Sequence, residues 1–123
     1  MTNATRYATI PYPPVIAALA VDASGYLYGA FGLQNSVARF DHSGTSSPLA
    51  TVGHPDRLAF DAHGNLFVSS RDNATDNGQI YKIAPDGTKT VFVGPNSGLN
   101  FPGGIAFDDS GNLLDIQRRK RLR

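Results

Sequence analysis

The segment GHPDR at positions 53–57 brings an imidazole, a carboxylate and a guanidinium close together in the chain. Asp56 offers oxygen atoms of the kind that hard divalent cations prefer. His54 alone is weak evidence for a metal, because metal sites need several ligands. We expect Asp56 or His54 to contact a ligand or a cation at a polar rim. The alternative is a solvated loop, in which Asp and Asn side chains bond to their own turns.

Two further polar segments belong to the same candidate surface. They are SSRDNATDNGQ at positions 69–79 and GPNSGLNFPGG at positions 94–104. Long polar loops on a rigid scaffold are where binding residues usually lie. We therefore predict a ligand-binding face, to which we assign Arg71, Asp72, Asn73, Asp76, Asn77 and Asn100.

Several kinds of chemistry have no residues to support them. The chain has no cysteine, which excludes disulfides, thiolate zinc sites and a cysteine nucleophile. It contains no G-x-S-x-G, G-x-G-x-x-G or G-x-x-x-x-G-K-[ST] motif, so a serine nucleophile and nucleotide binding are both unsupported. All ten acidic residues are Asp, so a glutamate ligand or acid is excluded as well.

A seven-residue phrase, written three times, indicates the elements that position these residues. It reads DASGYLY from Asp22, DAHGNLF from Asp61 and DDSGNLL from Asp108. An Asp at the start of a turn accepts hydrogen bonds from backbone N–H groups two residues on, and a Gly three positions later supplies a left-handed backbone. We interpret each phrase as a tight turn between antiparallel strands. The related segments FDHSGT and IAPDGT join a second pair of strands.

The strand before each phrase alternates large residues with one alanine, namely Ala20, Ala59 and Ala106. A period of two places the large residues on one face and the alanine on the other. Such a strand suits the crowded centre of a propeller, where successive blades converge. We predict strands near 17–22, 25–31, 36–42 and 45–52, then 57–61, 65–70, 79–84 and 87–94, then 103–108 and 112–116.

The phrase recurs after 39 residues and again after 47, which is the spacing of four-stranded propeller blades. We predict an all-β chain that forms an incomplete β-propeller of four-stranded antiparallel blades, with a β-sandwich as the alternative. The extra residues of the longer repeat fall in the loops between its second and third strands and after its fourth. Both loops emerge on one face of a blade.

We divide the chain into five parts on this basis. They are a leading outer strand and linker at 1–15, blade 1 at 16–52, blade 2 at 53–94, a partial blade 3 at 95–117 and a basic tail at 118–123.

The pattern P-x-x-[LI]-A-F-D-x-x-G-N-L, followed by I-Y-K-I-x-P-D-G-T, resembles NHL-type repeats. It is also similar to the senescence-marker-protein/gluconolactonase-like group, whose members form six-bladed propellers. The resemblance covers most of residues 6–116. In the gluconolactonase-like group a Glu, an Asn and an Asp hold a divalent metal, and the Asn follows the Pro that opens an inner strand. Here Asp56 follows Pro55, Gly103 follows Pro102, and there is no Glu, so the ligand trio as such is missing.

The chain is shorter than a six-bladed ring, which needs roughly 250 residues at about 42 per blade. We therefore expect a fragment of a longer propeller, self-association into a ring, or a partner chain that supplies further blades. Five of the eleven cationic residues lie in the tail RRKRLR, which we expect to be disordered. The rest of the chain is acidic, which disfavours nucleic acid as a partner. We also expect no membrane association, no signal peptide and a soluble chain, and we make no prediction of its compartment.

Two functions remain open. The first is a binding or scaffold segment that needs no cofactor and takes a small molecule or a protein on the variable-loop face. The second, implied by the resemblance, is a metal-dependent lactone hydrolase or lyase, active only in a complete ring. In that case Asp56 would bind Ca²⁺, Mg²⁺ or Zn²⁺, His54 would act as general base, and Arg57 would hold an oxyanion or a carboxylate.

Overall fold

The computed structural model describes residues 16–71, 78–94, 105–115 and 120–121, and eleven β-strands lie in this part of the chain. The strands are β1 Ile16–Val21, β2 Leu27–Phe31, β3 Ser36–Phe40, β4 Ser46–Thr51, β5 Pro55–Phe60, β6 Leu66–Arg71, β7 Gly78–Ile83, β8 Lys89–Val93, β9 Ile105–Phe107, β10 Leu113–Asp115 and β11 Lys120–Arg121. Among the described residues, no helix is long and apolar enough to cross a membrane.

The strands form three antiparallel sheets, each built from strands that are consecutive in the chain. The first sheet has the order β1-β2-β3-β4, the second β5-β6-β7-β8, and the third β11-β10-β9. We call them blades 1, 2 and 3. The inner strand β5 packs against β1 on one side and against β9 on the other. The chain therefore has the predicted propeller arrangement, and the sandwich alternative is wrong because each sheet is a simple meander of neighbouring strands.

The repeated turns have the predicted chemistry. Asp61 Oδ1 accepts hydrogen bonds from the backbone N–H groups of His63 and Asn65, both at 2.9 Å. Gly64 adopts a φ of 83°, and Gly25 and Gly111 adopt nearly the same value in the other two phrases. The side chain of Asn65 also donates to Asp61 Oδ2 at 2.9 Å, which closes the turn. The turn is therefore fixed by contacts within five residues of chain.

The three alanines occupy matching places on the inner strands. Ala20 pairs with Tyr28, Ala59 with Phe67 and Ala106 with Leu114, so each alanine faces the residue eight positions further along the chain. This shared register confirms that β1, β5 and β9 are equivalent strands of successive blades.

Two apolar cores lie between the blades. The core between blades 1 and 2 includes Tyr28, Val37, Val52, Leu66, Val68 and Ile83, and the core between blades 2 and 3 includes Phe67, Ile80, Ile105 and Leu113. Phe60 on β5 packs edge-on against Tyr28, with ring centroids 4.9 Å apart. On β1 the matching large residues are exposed instead: Leu19 by 57% and Val21 by 54%. Apolar side chains at equivalent positions thus contribute to a core in blade 2 and form an apolar surface in blade 1.

Each complete blade carries a β-bulge near the start of its inner strand. The register shifts between Ile16 and Ala18 in blade 1, and between Pro55 and Arg57 in blade 2. The unpaired residue of the second bulge is Asp56. Bulges re-aim side chains and are frequent next to functional sites. The bulge also explains why β5 begins at Pro55, two residues before the start that the sequence predicts.

Two residues of the predicted basic tail lie in the described part of the chain. These residues, Lys120 and Arg121, form β11, which pairs with Asp115 and Leu114 of β10. The backbone N–H and C=O groups along the edge of β10 are available to a further strand, whatever the side chains of that strand are. The predicted leading strand at 1–15 lies outside the described residues.

Candidate functional site

The candidate site lies on the face where β2 and β6 end and where β3, β5 and β7 begin, which we call the loop face. His54 is its central residue and immediately precedes β5. The His54 backbone N–H donates to Asn35 Oδ1 at 2.8 Å, and the His54 carbonyl accepts from the Arg71 backbone N–H at 3.4 Å. The ring of His54 lies beside Gly32, where a Cβ atom would be 3.9 Å from the nearest ring carbon. His54 therefore links the loops of blade 1 to the end of β6.

The side chains of His54 and Arg71 are also in contact, through His54 Nε2 and Arg71 Nη2. A guanidinium can only donate hydrogen bonds, so His54 Nε2 must be the acceptor and the ring proton must lie on Nδ1. In this geometry the Nε2 lone pair of His54 is occupied. A general-base role through Nε2 would require this contact to break.

Asp56 and Arg57 form a second pair at the inner strand. The Arg57 guanidinium lies 3.5 Å from the Asp56 carboxylate, and the two side chains are 44% and 33% exposed. Arg57 Nη1 also donates to the carbonyl oxygen of Asp56 at 2.8 Å and to that of Ala17 at 3.4 Å. Arg57 therefore reaches from β5 to the bulge of β1, at the place where the inner strands of blades 1 and 2 meet.

Two consecutive serines near the end of β6, Ser69 and Ser70, are both buried. Ser70 Oγ donates to the Gly53 carbonyl and so ties β6 to the loop before β5. Ser69 is fully buried, and its Oγ has no hydrogen-bond partner. A buried hydroxyl without a partner is unfavourable by roughly 1–3 kcal/mol. Ser69 is therefore a position whose side chain the fold alone does not explain.

Blade 1 provides an internal comparison for this region. Arg57 pairs with Ser69 across β5 and β6, and Ala18 pairs with Ala30 at the matching place across β1 and β2. Gly32 of blade 1 corresponds to Arg71 of blade 2, because Gly32 lies two residues after Ala30 and Arg71 lies two residues after Ser69. Blade 1 thus forms the same backbone with small apolar residues at positions where blade 2 has two guanidinium groups and a hydroxyl.

The described residues do not fit a divalent cation. Among them, no three His, Asp or other metal-ligating side chains form a group that could hold a metal ion. Asp56, the predicted ligand, lies beside the cationic Arg57, which would repel a second cation. The predicted binding residues Asp72, Asn73, Asp76, Asn77 and Asn100 lie outside the described part of the chain.

Asn35 and Ser69 are functional candidates that sequence reasoning missed. Asn35 has a positive φ of 54°, a conformation that Asn adopts more readily than most residues. The only sequence signal is an Asn in the loop GLQN, where a turn is expected anyway. Ser69 is indistinguishable in the sequence from an ordinary strand residue, because its significance depends on its burial and on its cross-strand partner.

A sizeable cleft lies elsewhere, on the opposite face that carries the repeated turns. It has a volume of about 450 Å³ and is lined by apolar rings and by polar turn residues of blades 2 and 3. The ring of Phe67 contacts those of Phe92 and Phe107 edge-on, with centroids 4.8 and 4.9 Å apart. The polar lining includes His63, Lys82, Asp61, Asp108 and Asp109. None of the predicted site residues lines this cleft.

Comparison with known proteins shows the fold. No protein-family model matches the sequence, and no curated protein matches it either. Among solved structures, a catalytically inactive virginiamycin B lyase from Staphylococcus aureus with quinupristin is similar, with a TM-score of 0.69 and 18% identity over 92% of this chain and 39% of that one. A gluconolactonase-like protein gives a TM-score of 0.66 at 21% identity, over 78% of this chain and 39% of that one. A streptogramin B lyase gives a TM-score of 0.66 at 19% identity, over 80% of this chain and 32% of that one.

These similarities show that the chain has the fold of part of a β-propeller. The chain spans between about a third and two fifths of the length of the propellers that it matches. Two of the proteins named are lyases and the third is gluconolactonase-like, so the neighbours are propeller enzymes. At these identities the likeness extends to the backbone arrangement and not to the activity.

Proposed function

We propose that this chain is a propeller segment that binds a small molecule or a protein segment on its loop face, without catalysis of its own. The observation that carries the proposal is the contrast between the two complete blades. Arg57, Ser69 and Arg71 occupy positions where blade 1 has Ala18, Ala30 and Gly32 in the same register. A propeller blade does not need these polar groups to fold, so binding is the better explanation for them.

The proposal includes an assembly. The exposed Leu19 and Val21 on β1 match Leu58 and Phe60 on β5, which are packed against blade 1. A further blade with a small residue on its inner strand would cover β1 in the same way. We therefore propose that the working particle contains more blades, either from a longer propeller of the NHL or senescence-marker-protein/gluconolactonase-like kind or from self-association.

Amide chemical-shift mapping tests the binding proposal directly. The ¹⁵N-labelled chain would be screened with mixtures of small organic fragments that differ in charge and polarity. We expect shifts to concentrate at His54, Arg57 and Arg71. Binding confined to the cleft around Phe67 and Phe107 would overturn the assignment of the functional face, and an absence of any saturable shift would overturn binding itself.

The alternative is a lactone hydrolase or lyase that depends on a divalent cation. A streptogramin B lyase and a gluconolactonase-like protein share this fold, which makes an enzyme the second candidate, whereas the pairing of Asp56 with Arg57 counts against it. Thermal unfolding with Ca²⁺, Mg²⁺ or Zn²⁺ separates the two functions. A rise in the melting temperature that Asp56→Ala abolishes would favour the enzyme. No change with any of the three cations would favour the binding segment.

A further inference from the structure

We propose that Arg57, Ser69 and Arg71, which we call the Arg57–Ser69–Arg71 cluster, bind the carboxylate group of a small organic acid. This inference rests on the proposed function, because it names the ligand chemistry of the same face. It goes further by specifying three side chains and one functional group, which can be tested with simple anions.

The three residues lie on one face of blade 2. Arg57 and Ser69 are direct cross-strand partners, and Arg71 lies two positions after Ser69 on the same strand. Directly paired residues have Cβ atoms about 5 Å apart, and residues two apart on a strand point to the same face. Arg57, Ser69 and Arg71 therefore share one face of blade 2, with Arg57 the neighbour of Ser69 across the sheet and Arg71 its neighbour along the strand.

The hydroxyl of Ser69 is unsatisfied. Ser69 is fully buried, and no acceptor or donor contacts its Oγ. The matching Ala30 is equally buried and has no hydroxyl, so the fold accepts alanine at this place. A ligand oxygen that enters between the two arginines would accept the Ser69 proton and remove the desolvation penalty.

The guanidinium of Arg71 is held in place by a neighbouring side chain. Its Nη2 donates to His54 Nε2, and His54 is fixed in turn by Asn35. A guanidinium held at one edge keeps its plane defined, and planar guanidinium groups bind carboxylates through two parallel hydrogen bonds. The orienting chain from Asn35 through His54 to Arg71 thus lowers the entropy lost when a ligand binds.

The local charge favours a carboxylate over a phosphate. Arg57 and Arg71 contribute two positive charges, and Asp56 contributes one negative charge at 3.5 Å from Arg57. The negative charge of Asp56 would repel a phosphate dianion more strongly than it would repel the single charge of a carboxylate. The exposed Asp56–Arg57 pair is itself worth little, so a ligand carboxylate can displace it.

The experiment is a titration of the full chain with sodium acetate, followed by amide chemical shifts at constant ionic strength. Acetamide serves as the neutral isostere and inorganic phosphate as the other oxyanion. Acetate should produce saturable shifts around Ser69 and Arg71 and acetamide should not. Arg71→Gln should weaken acetate binding about tenfold or more, because a hydrogen bond between charged groups is lost. Ser69→Ala should weaken it as well while the chain stays folded.

Lys82→Gln is the matched control, since it removes one positive charge from the opposite face of the same blade. It should leave acetate binding unchanged. The inference is overturned if acetate does not bind, if acetamide binds equally well, if phosphate binds more tightly, or if Lys82→Gln weakens acetate as much as Arg71→Gln. Fragment binding on the loop face together with any of these results would leave the proposed function standing and remove only the carboxylate assignment.

Discussion

Asn35 and His54 are joined by a hydrogen bond of 2.8 Å and share an unusual backbone conformation. Their φ values are 54° and 44°, and among the described residues they are the only non-glycine residues with positive φ. Asn35 belongs to the loop between β2 and β3, and His54 precedes β5. Residues held in sparsely populated conformations are frequent at functional sites, where the surrounding structure compensates for the strain. This contact joins two blades at the edge of the candidate site.

The backbone strain at His54 predicts an order of stability for two variants. His54→Gly and His54→Ala both remove the ring that contacts Arg71, but only glycine adopts a positive φ without steric cost. We expect His54→Ala to be less stable than His54→Gly by about 1 kcal/mol in urea unfolding. Equal stability of the two variants would show that the positive φ of His54 does not persist in solution.

The two serines of β6 predict opposite effects of the same substitution. Ser69→Ala removes a buried hydroxyl without a partner, so the free energy of unfolding should rise by about 1 kcal/mol. Ser70→Ala removes the hydroxyl that donates to the Gly53 carbonyl, so the free energy of unfolding should fall by about 1 kcal/mol. Chemical denaturation of both variants gives the comparison. A loss of stability in Ser69→Ala would mean that its hydroxyl has a structural partner.

The turn carboxylates predict a loss of stability in acid. Burial acts to raise the pKa of Asp61, but hydrogen bonds from the Asn65 side chain and from the backbone of Asn65 and His63 outweigh it and hold the pKa below the ordinary value of 3.8. The Ser43 hydroxyl, with backbone N–H groups, lowers the pKa of Asp41, and the Thr88 backbone N–H lowers that of Asp86.

A pKa that is lower in the folded state means that the folded chain binds the proton less tightly than the unfolded chain. The stabilisation by Asp61 is therefore complete above pH 3.8 and is lost as the pH falls through its folded pKa. Between about pH 6 and pH 3 the wild-type chain should lose more stability than Asp61→Asn. Equal losses in urea unfolding would show that the turn hydrogen bonds do not favour the ionised carboxylate.

The apolar surface of β1 predicts self-association. Leu19 and Val21 are exposed, and replacing both with lysine should weaken association in sedimentation measurements while changing stability by only about 0.5 kcal/mol. The matched position of Val21 on β5 is Phe60, which packs against Tyr28. Phe60→Ala should therefore lower the free energy of unfolding by about 3 kcal/mol. Association that is unchanged in the lysine variant would place the contact surface elsewhere.

The sequence predicts most of the fold because the decisive contacts are local. Asp61 bonds to atoms within four residues of itself, and Gly64 needs no distant partner for its φ of 83°. The alternation around Ala59 likewise depends on one strand only. Such features recur wherever the phrase recurs, so the turns, the inner strands and their order could be predicted from pattern alone.

The rest depends on contacts between distant parts of the chain. Asn35 and His54 are 19 residues apart, and their hydrogen bond forms only when two blades are packed. The bulge at Asp56 is a property of the pairing between β5 and β6, and no residue type specifies it. Similarly, β11 is defined by its pairing with β10, which the composition of the tail does not predict.

Blade 2 should fold without the polar groups at positions 57, 69 and 71, because blade 1 has small residues at the matched positions. The triple variant Arg57→Ala, Ser69→Ala and Arg71→Gly gives blade 2 the residues of blade 1 at the three matched positions. Urea unfolding should then yield a cooperative transition within about 2 kcal/mol of the wild-type chain. A variant that fails to fold, or that loses more than about 4 kcal/mol, would show that these side chains are structural and would contradict the account.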